Sequence, residues 1–426
     1  MDMEQLFQIL KESVSACHTV LSCEKRLKAQ GFLPLSMEKE WKLEEMGKYY
    51  VKHRDSSLFA FTVGKDFDRD IPVRIAAAHT DFPGLYIKAD PQMEQQGYLQ
   101  LNVEVYGGAI LNTWLDRPLS AAGKVAVRSD CVTRPDIRFV DLKEPFCTIP
   151  NLAIHMNREI NKGVELNRQT HMLPIIGLSG EEKAEGRFLK FLAEKVGVEP
   201  EDILDFDLQL YSVEEPMYVG MDREFISAPH LDNTTSVYAV LSGVCGEVSE
   251  HGVNLAAIFD HEEIGSRSAQ GAASMQLYNL LEKIFKSIPM HADMNETIYG
   301  SMMLSVDVAH AVHPNYPGKA DPVLKPLPGK GFCIKEACSQ AYATDSRAIA
   351  VVQQICEEKK IPYQKYANRS DVPGGGTLGS IASAFLPIRI VDIGVPILAM
   401  HSSREIMGTA DMKALKDVVY EFYRIS

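Results

Sequence analysis

No stretch of the 426-residue sequence approaches the ~18 consecutive apolar residues that a membrane-crossing helix needs. The opening residues, MDMEQLFQILKES, lack the basic start and apolar core of a secretion signal. Together these absences predict a cytoplasmic protein with no membrane partner. Positive charge is also in deficit, 44 Lys and Arg against 57 Asp and Glu for a net charge of −13, which argues against nucleic acid or an anionic lipid surface as a partner. The eight cysteines, at 17, 23, 131, 147, 245, 333, 338 and 356, form no close Cys/His quartet of the kind a structural zinc site uses. They are read as reduced thiols, mostly buried. Internal repeats and low-complexity tracts are missing as well.

What is present is an ordinary globular balance, 46% hydrophobic and 24% charged, enough for a large core. The first ~50 residues look helical, and SLFAFTVG (57–64) and IPVRIAAAHTD (71–81) then read as strands, the second buried on both faces. From 92 to 220 the texture changes to half-alternating strands (YLQLNVEVYGG, GKVAVRS) and an amphipathic helix, EEKAEGRFLKFLAEKVG, which reads as an inserted β-rich dimerisation or lid domain. Residues 1–91 and 221–426 form the catalytic domain in this reading. Its second part alternates helix LDNTTSVYAVLSGVCGEV, strand VNLAAIFD, helix MQLYNLLEKIFKSI, strand SMMLSVDVA, a helix near 341–359, strand IRIVDIGVPI and a C-terminal helix from about 411. The expected fold class is α/β, with a mixed, largely parallel sheet between helices and ligands at its strand ends.

Polar clusters interrupt or follow these apolar strands: His79-Thr80-Asp81, His230-Leu231-Asp232-Asn233, Asp260-His261-Glu262-Glu263, Asp307 with His310 and His313, and His401. Any one of them alone is more often a cap or a surface residue than a ligand. In combination they match what two divalent cations ~3.5–4 Å apart require, a bridging carboxylate and terminal His and carboxylate ligands. His79, Asp232, Glu263, Asp307 and His401 supply three carboxylates and two neutral imidazoles, and a bound hydroxide would complete the charge balance. Glu262 and Glu263 are adjacent, so in extended backbone one would ligate while the other faces water as general base, and spacing alone leaves the choice open. The H-x-D spacing of His79 and Asp81 lets the carboxylate hold the ring's second nitrogen.

The segments AAHTDFPGLYIK, VYGGAILNTWLDRPLSAAGKV, APHLDNTTSVYA, FDHEEIGSRSAQGA, SVDVAHAVHPNY, YATDSRA, DVPGGGTLGSI and MHSSREIMG occur in the order of one known group. In this the chain resembles the aspartyl-aminopeptidase family of co-catalytic zinc exopeptidases over nearly its whole length. The resemblance implies removal of single residues from peptides with a free N-terminus. It also implies two divalent metal ions per chain, zinc foremost, with Mn²⁺ or Co²⁺ as other candidates. Asp232 would bridge them, His79 and Asp307 would complete one site, and Glu263 and His401 the other, leaving Glu262 as general base. A cis Asp232–Asn233 peptide, a tetrahedral dodecamer built from dimers, and a reach of His155 into a neighbouring subunit's site are implied too. His310 is expected to meet the tetrahedral intermediate and Lys335 a substrate carboxylate. The rival readings are a two-metal deacylase of small N-acyl amides and an idle, self-assembling shell protein.

Overall fold

Every position of Ser57–Val63, Val73–His79, Val253–Phe259 and Met302–Val306 is buried, the pattern of strands covered on both faces. The computed structural model describes residues 3–68, 70–179, 186–289, 292–372 and 374–425. In it these runs join a nine-stranded sheet made of β1 (Leu33–Leu35), β2 (Lys48–His53), β3 (Ser57–Val63), β4 (Val73–His79), β5 (Val253–Phe259), β6 (Met302–Val306), β7 (Phe332–Glu336), β8 (Tyr363–Ala367) and β9 (Arg389–Gly394). The spatial order is β1-β2-β3-β5-β4-β6-β9-β7-β8. The four central strands β5, β4, β6 and β9 are mutually parallel, and antiparallel pairings join β3 to β5 and β9 to β7.

Alternation along each strand feeds two cores. Ala76, Ala78, Ala256, Ile258 and Leu304 pack on one face with the helices Leu231–Val244, Ser346–Lys359 and Thr409–Phe422. Ile75, Ala77, Leu255, Ala257 and Met303 pack on the other with Gln276–Ser287 and Leu378–Ala382. The sheet is thus sandwiched, as the buried strand runs predict. No helix among the described residues is long and apolar enough to cross a membrane.

The chain divides into two compact units. One holds the residues up to Asp81, Pro216–Met400 and the chain from Glu405 onward; the other holds Phe82–Glu215 and His401–Arg404. Within the second, Asp136–Asp141, Leu119–Val127, Ile203–Ser212, Gly84–Gln95, Tyr98–Tyr106 and Ile175–Leu178 form a six-stranded antiparallel sheet in that order. The Gly84–Gln95 strand spans residues 91 and 92 and pairs with Tyr98–Tyr106 over Gly84–Ile87 and again over Gln92–Gln95, so the whole of it lies in this unit. A third sheet, of five short strands, lies in the first unit and carries Phe225–Ala228, Pro396–Leu398 and Ala309–His310.

Several local expectations change. The opening segment is helical only over Met3–Glu12 and Ala16–Ala29, after which Pro34 and the aromatic, β-branched run KYYVKH favour β1 and β2. The run IRIVDIGVPI makes two strands in different sheets, Arg389–Gly394 and Pro396–Leu398. The insert helix spans Arg187–Val196; the expected residues 181–185 lie outside the described residues, as do residues 1 and 2 of the opening helix and Pro373 of the glycine-rich segment.

Candidate metal centre

Strand register brings the clusters together. Phe259, the last residue of β5, pairs with His79, the last of β4, so the 260–263 turn leaves the sheet beside the His79 ring. On the other side of β4, Ser305 pairs with Ala77, which sets Asp307 at the same edge. Asp232 arrives from the start of the Leu231–Val244 helix. Its amide donates to Glu405 Oε2 at 3.0 Å, and the Asn233 side-chain amide donates to the Val306 carbonyl at 3.2 Å, tying the helix start to the end of β6. The Asp232–Asn233 peptide is cis, as the resemblance implies.

The His79 ring is buried, with Nε2 3.5 Å from Asp232 Oδ1 and 3.6 Å from Asp307 Oδ1. One ligand atom from each of His79, Asp232 and Asp307 lies within 4.8 Å of the others, and the same holds for His79, Glu262 and Glu263. Nδ1 faces the backbone carbonyl of Asp81 at 3.0 Å, so the tautomer that donates there carries its lone pair on Nε2, toward the carboxylates.

The Asp81 carboxylate itself has a different first task from the one H-x-D spacing suggests. It stands 3.4 Å from Nδ1, yet it accepts the amides of Glu262 and Glu263 at 3.0 and 3.1 Å. Those two glutamates occupy a single 3-10 turn, Glu262–Ile264, entered through His261 at φ 61°. The expectation of extended backbone fails because Asp81 collects the turn's unpaired amides; the side chains fan out from a cap instead of alternating across a strand.

The electrostatics show a site short of positive charge. Burial, with Asp307, Asp81 and Asp232 close by, pushes Glu262 up to about 8 against the opposing pull of His79. Burial and the charges of Asp232 and Glu262 raise Glu263 well above the carboxylate range. Burial opposes ionisation of His79, but Asp307, Asp81 and Glu262 hold its pKa well above the imidazole range. Burial likewise works against Asp307, and Lys335 and His79 overcome it to keep its carboxyl well below the usual range. Carboxylates gathered at a dry strand edge protonate unless cations neutralise them, and a donor set of imidazole and carboxylate oxygens fits divalent first-row ions.

Other expected residues are placed as follows. Lys335 is buried on β7, its ammonium 3.7 Å from Asp307 Oδ2, donating to the Val308 carbonyl at 3.1 Å and 4.9 Å from the Tyr342 ring centre, which excludes a surface role. His310 is exposed and lines a cavity of about 300 Å³ with Tyr366, Gly374 and Gly375. A Cβ on Gly374 would stand 1.9 Å from the Asn368 side-chain amide nitrogen, so a larger residue here would have to displace the Asn368 side chain. His155 is exposed on a turn. His401 belongs to the second unit, with φ 67° and Nδ1 3.3 Å from the Gly108 carbonyl; its own carbonyl accepts from Ile110 at 3.0 Å. Glu405, whose carboxylate accepts the Asp232 amide, supports the site and was not singled out in the sequence. Its place at the start of the Glu405–Gly408 strand is the one local signal it carries.

Comparison with known proteins bears on this geometry. Residues 9–423 match the model of the aminopeptidase I zinc metalloprotease family, M18. The chain is 42% identical over 425 residues to the probable M18 family aminopeptidase 2 of Clostridium acetobutylicum, covering 99% of this chain and 98% of that relative. Among solved structures it superposes on one from the Ape4 and Nbr1 complex with a TM-score of 0.93 at 32% identity, covering 98% of this chain and 84% of the other. The S. cerevesiae mApe1 dodecamer shares the fold, with a TM-score of 0.85 at 23% identity over 99% of this chain and 96% of that one.

Proposed function

The chain belongs to the M18 family of zinc aminopeptidases, and from that premise we propose how its own residues divide the work. Two divalent ions would be held by Asp232, shared between them, with His79 and Asp307 on one side and Glu263 and His401 on the other. The observation that carries this reading is the convergence of His79, Asp232, Asp307 and the Glu262–Glu263 turn at one edge of parallel strands. Such ions would supply Lewis acidity toward a carbonyl oxygen and lower the pKa of water. Glu262 takes the proton of the attacking water and returns it to the departing amine, and the His310 imidazole donates to the developing oxyanion. Asp81 holds both glutamates at the turn while its backbone carbonyl fixes the His79 tautomer. Lys335 neutralises Asp307 from behind, and its further proposed role is to meet a substrate carboxylate.

The substrates are peptides with a free N-terminus. By analogy with the dodecameric relative, the chain assembles as a tetrahedral dodecamer of dimers through the inserted unit, and His155 reaches a neighbouring copy's site. Exposed Leu152, Ile154 and Met156 around His155 give that turn the apolar surface an interface needs.

The test of the catalytic assignment is Glu262→Gln. It is expected to retain two zinc ions per chain by metal analysis and to lose nearly all turnover of a dipeptide, whereas undiminished hydrolysis overturns the role of Glu262. Presenting the same peptide with a free and an N-acetylated terminus separates aminopeptidase from deacylase, and preference for the blocked form reverses the reading.

A further inference from the structure

A line of side chains crosses the sheet directly beneath the site. Register pairs Ala77 with Ser305, Ser305 with Asp392, Asp392 with Lys335, and Lys335 with Tyr366. Residues opposite one another on neighbouring strands share a face, so all five point to the same side. Two of them are charged and essentially sealed from solvent, Asp392 at 0% exposure and Lys335 at 1%. A charge buried so deeply persists only with charged or hydrogen-bonding partners.

The partners run in two directions. Lys335 faces Asp307 Oδ2 at 3.7 Å and donates to the Val308 carbonyl at 3.1 Å. Asp392 accepts the Ala343 amide on Oδ2 at 2.7 Å and the Thr377 hydroxyl on Oδ1 at 2.5 Å, while its own amide donates to Thr344 Oγ1 at 2.9 Å. Thr377 follows Gly374, Gly375 and Gly376, and its amide donates to the Ala341 carbonyl at 3.2 Å. The first two of those glycines, with His310 and Tyr366, wall the cavity of about 300 Å³. The mechanism above makes no use of Asp392.

We infer that Asp392 is a positioning residue that sets two parts of the centre at once: the orientation of Asp307, through Lys335, and the glycine-rich wall of the adjoining cavity, through Thr377. This rests on the reading of Asp307 as a metal ligand. Asp392, set opposite Lys335 by the strand register, is a second negative charge that acts on its ammonium through space, beside the direct pair with Asp307. In Asp392→Asn the ammonium falls more fully on Asp307 and competes for the oxygen that a metal ion needs. The amide that replaces the carboxylate has one acceptor for two donors, so either the Ala343 amide or the Thr377 hydroxyl faces an NH2 group.

The experiment uses the zinc-loaded enzyme and reads zinc affinity by chelator competition, together with kcat and KM on a panel of dipeptides differing in the first residue. Asp392→Asn is expected to weaken one of the two zinc ions about tenfold or more and to raise KM. Lys335→Met added to Asp392→Asn is expected to restore much of the zinc affinity while KM stays raised, a non-additive result that a merely structural residue would not give. Thr377→Val is expected to raise KM and alter the ranking of the panel with zinc affinity unchanged, and it serves as the readout if Asp392→Asn does not fold. Zinc affinity in Asp392→Asn equal to that of the unmodified enzyme, or a double variant that loses the sum of the two single losses, overturns the link to Asp307. An unchanged KM and ranking in Thr377→Val overturns the link to the cavity. If the unmodified enzyme binds no zinc, or Glu262→Gln is fully active, it is the underlying assignment of the centre that has failed.

Discussion

Asp81 shows how much one buried side chain decides. Its carboxylate accepts two consecutive backbone amides, those of Glu262 and Glu263, so it places both the proposed base and a proposed ligand. Asp81→Asn keeps the shape but offers a single acceptor; the turn then loosens, and turnover is expected to fall ~10- to 100-fold with weakened zinc binding, measured by initial rates and chelator competition. Wild-type rates in that variant would show that the cap is dispensable. Gly394 is a second such position, since a Cβ there would sit 1.6 Å from the Asp307 carbonyl oxygen. Gly394→Ala is expected to lower stability by ~2 kcal/mol or more and to displace Asp307, visible as a lower urea midpoint and weaker metal retention. At this scale the sequence was legible for chemistry and opaque for support. His79, Asp232, Glu262, Glu263 and Asp307 stand out as polar residues at the ends of apolar runs. Asp392 lies in the middle of one, RIVDIG, where nothing in the local pattern separates a structural carboxylate from a working one.

Among the elements, long apolar strands announced themselves and short ones of mixed composition did not. Val73–His79 and Val253–Phe259 read directly as continuous apolar runs, whereas β7 and β8, FCIKE and YQKYA, mix charge with aromatics and are defined by pairing instead of pattern. The Glu262 turn was misjudged as extended because its conformation depends on Asp81, far away in the chain. Helix connections hold an independent prediction. Glu12, the last residue of the first helix, accepts from Gln8 of its own helix and from Ser22, Lys25 and Arg26 of the Ala16–Ala29 helix. Burial works against its ionisation, yet these four partners lower its pKa to about 2. Because the folded chain holds the ionised form more strongly than the unfolded one, the stabilisation is complete above about pH 4.5 and disappears as pH falls through about 2. Discounted for solvent screening, it amounts to ~1–2 kcal/mol. Glu12→Gln should therefore lower the urea midpoint at pH 7 and narrow its gap to the wild type as pH falls below 4.5; a pH-independent gap would refute the coupling.

For the molecule as a whole, the texture changes near residue 92, while the second compact unit begins at Phe82, its first strand opening inside the AAHTDFPGLYIK segment that also carries His79. The proposed assembly predicts a particle near twelve times the 47.4 kDa chain mass in analytical ultracentrifugation. Ile154→Lys combined with Met156→Glu, both exposed at present, is expected to shift the chain to smaller species with its helix and strand content intact, and sedimentation unchanged by those substitutions would place the interface elsewhere.

The parallel core has a temporal consequence. The four strands whose edge gathers the polar groups are contributed from residue 73 at one extreme to residue 394 at the other, and the strand beginning at Arg389 lies inside the sheet, between two neighbours. A growing polypeptide therefore has no complete platform for its scissors until nearly all of it has been synthesised. Half-made copies are, by construction, blunt.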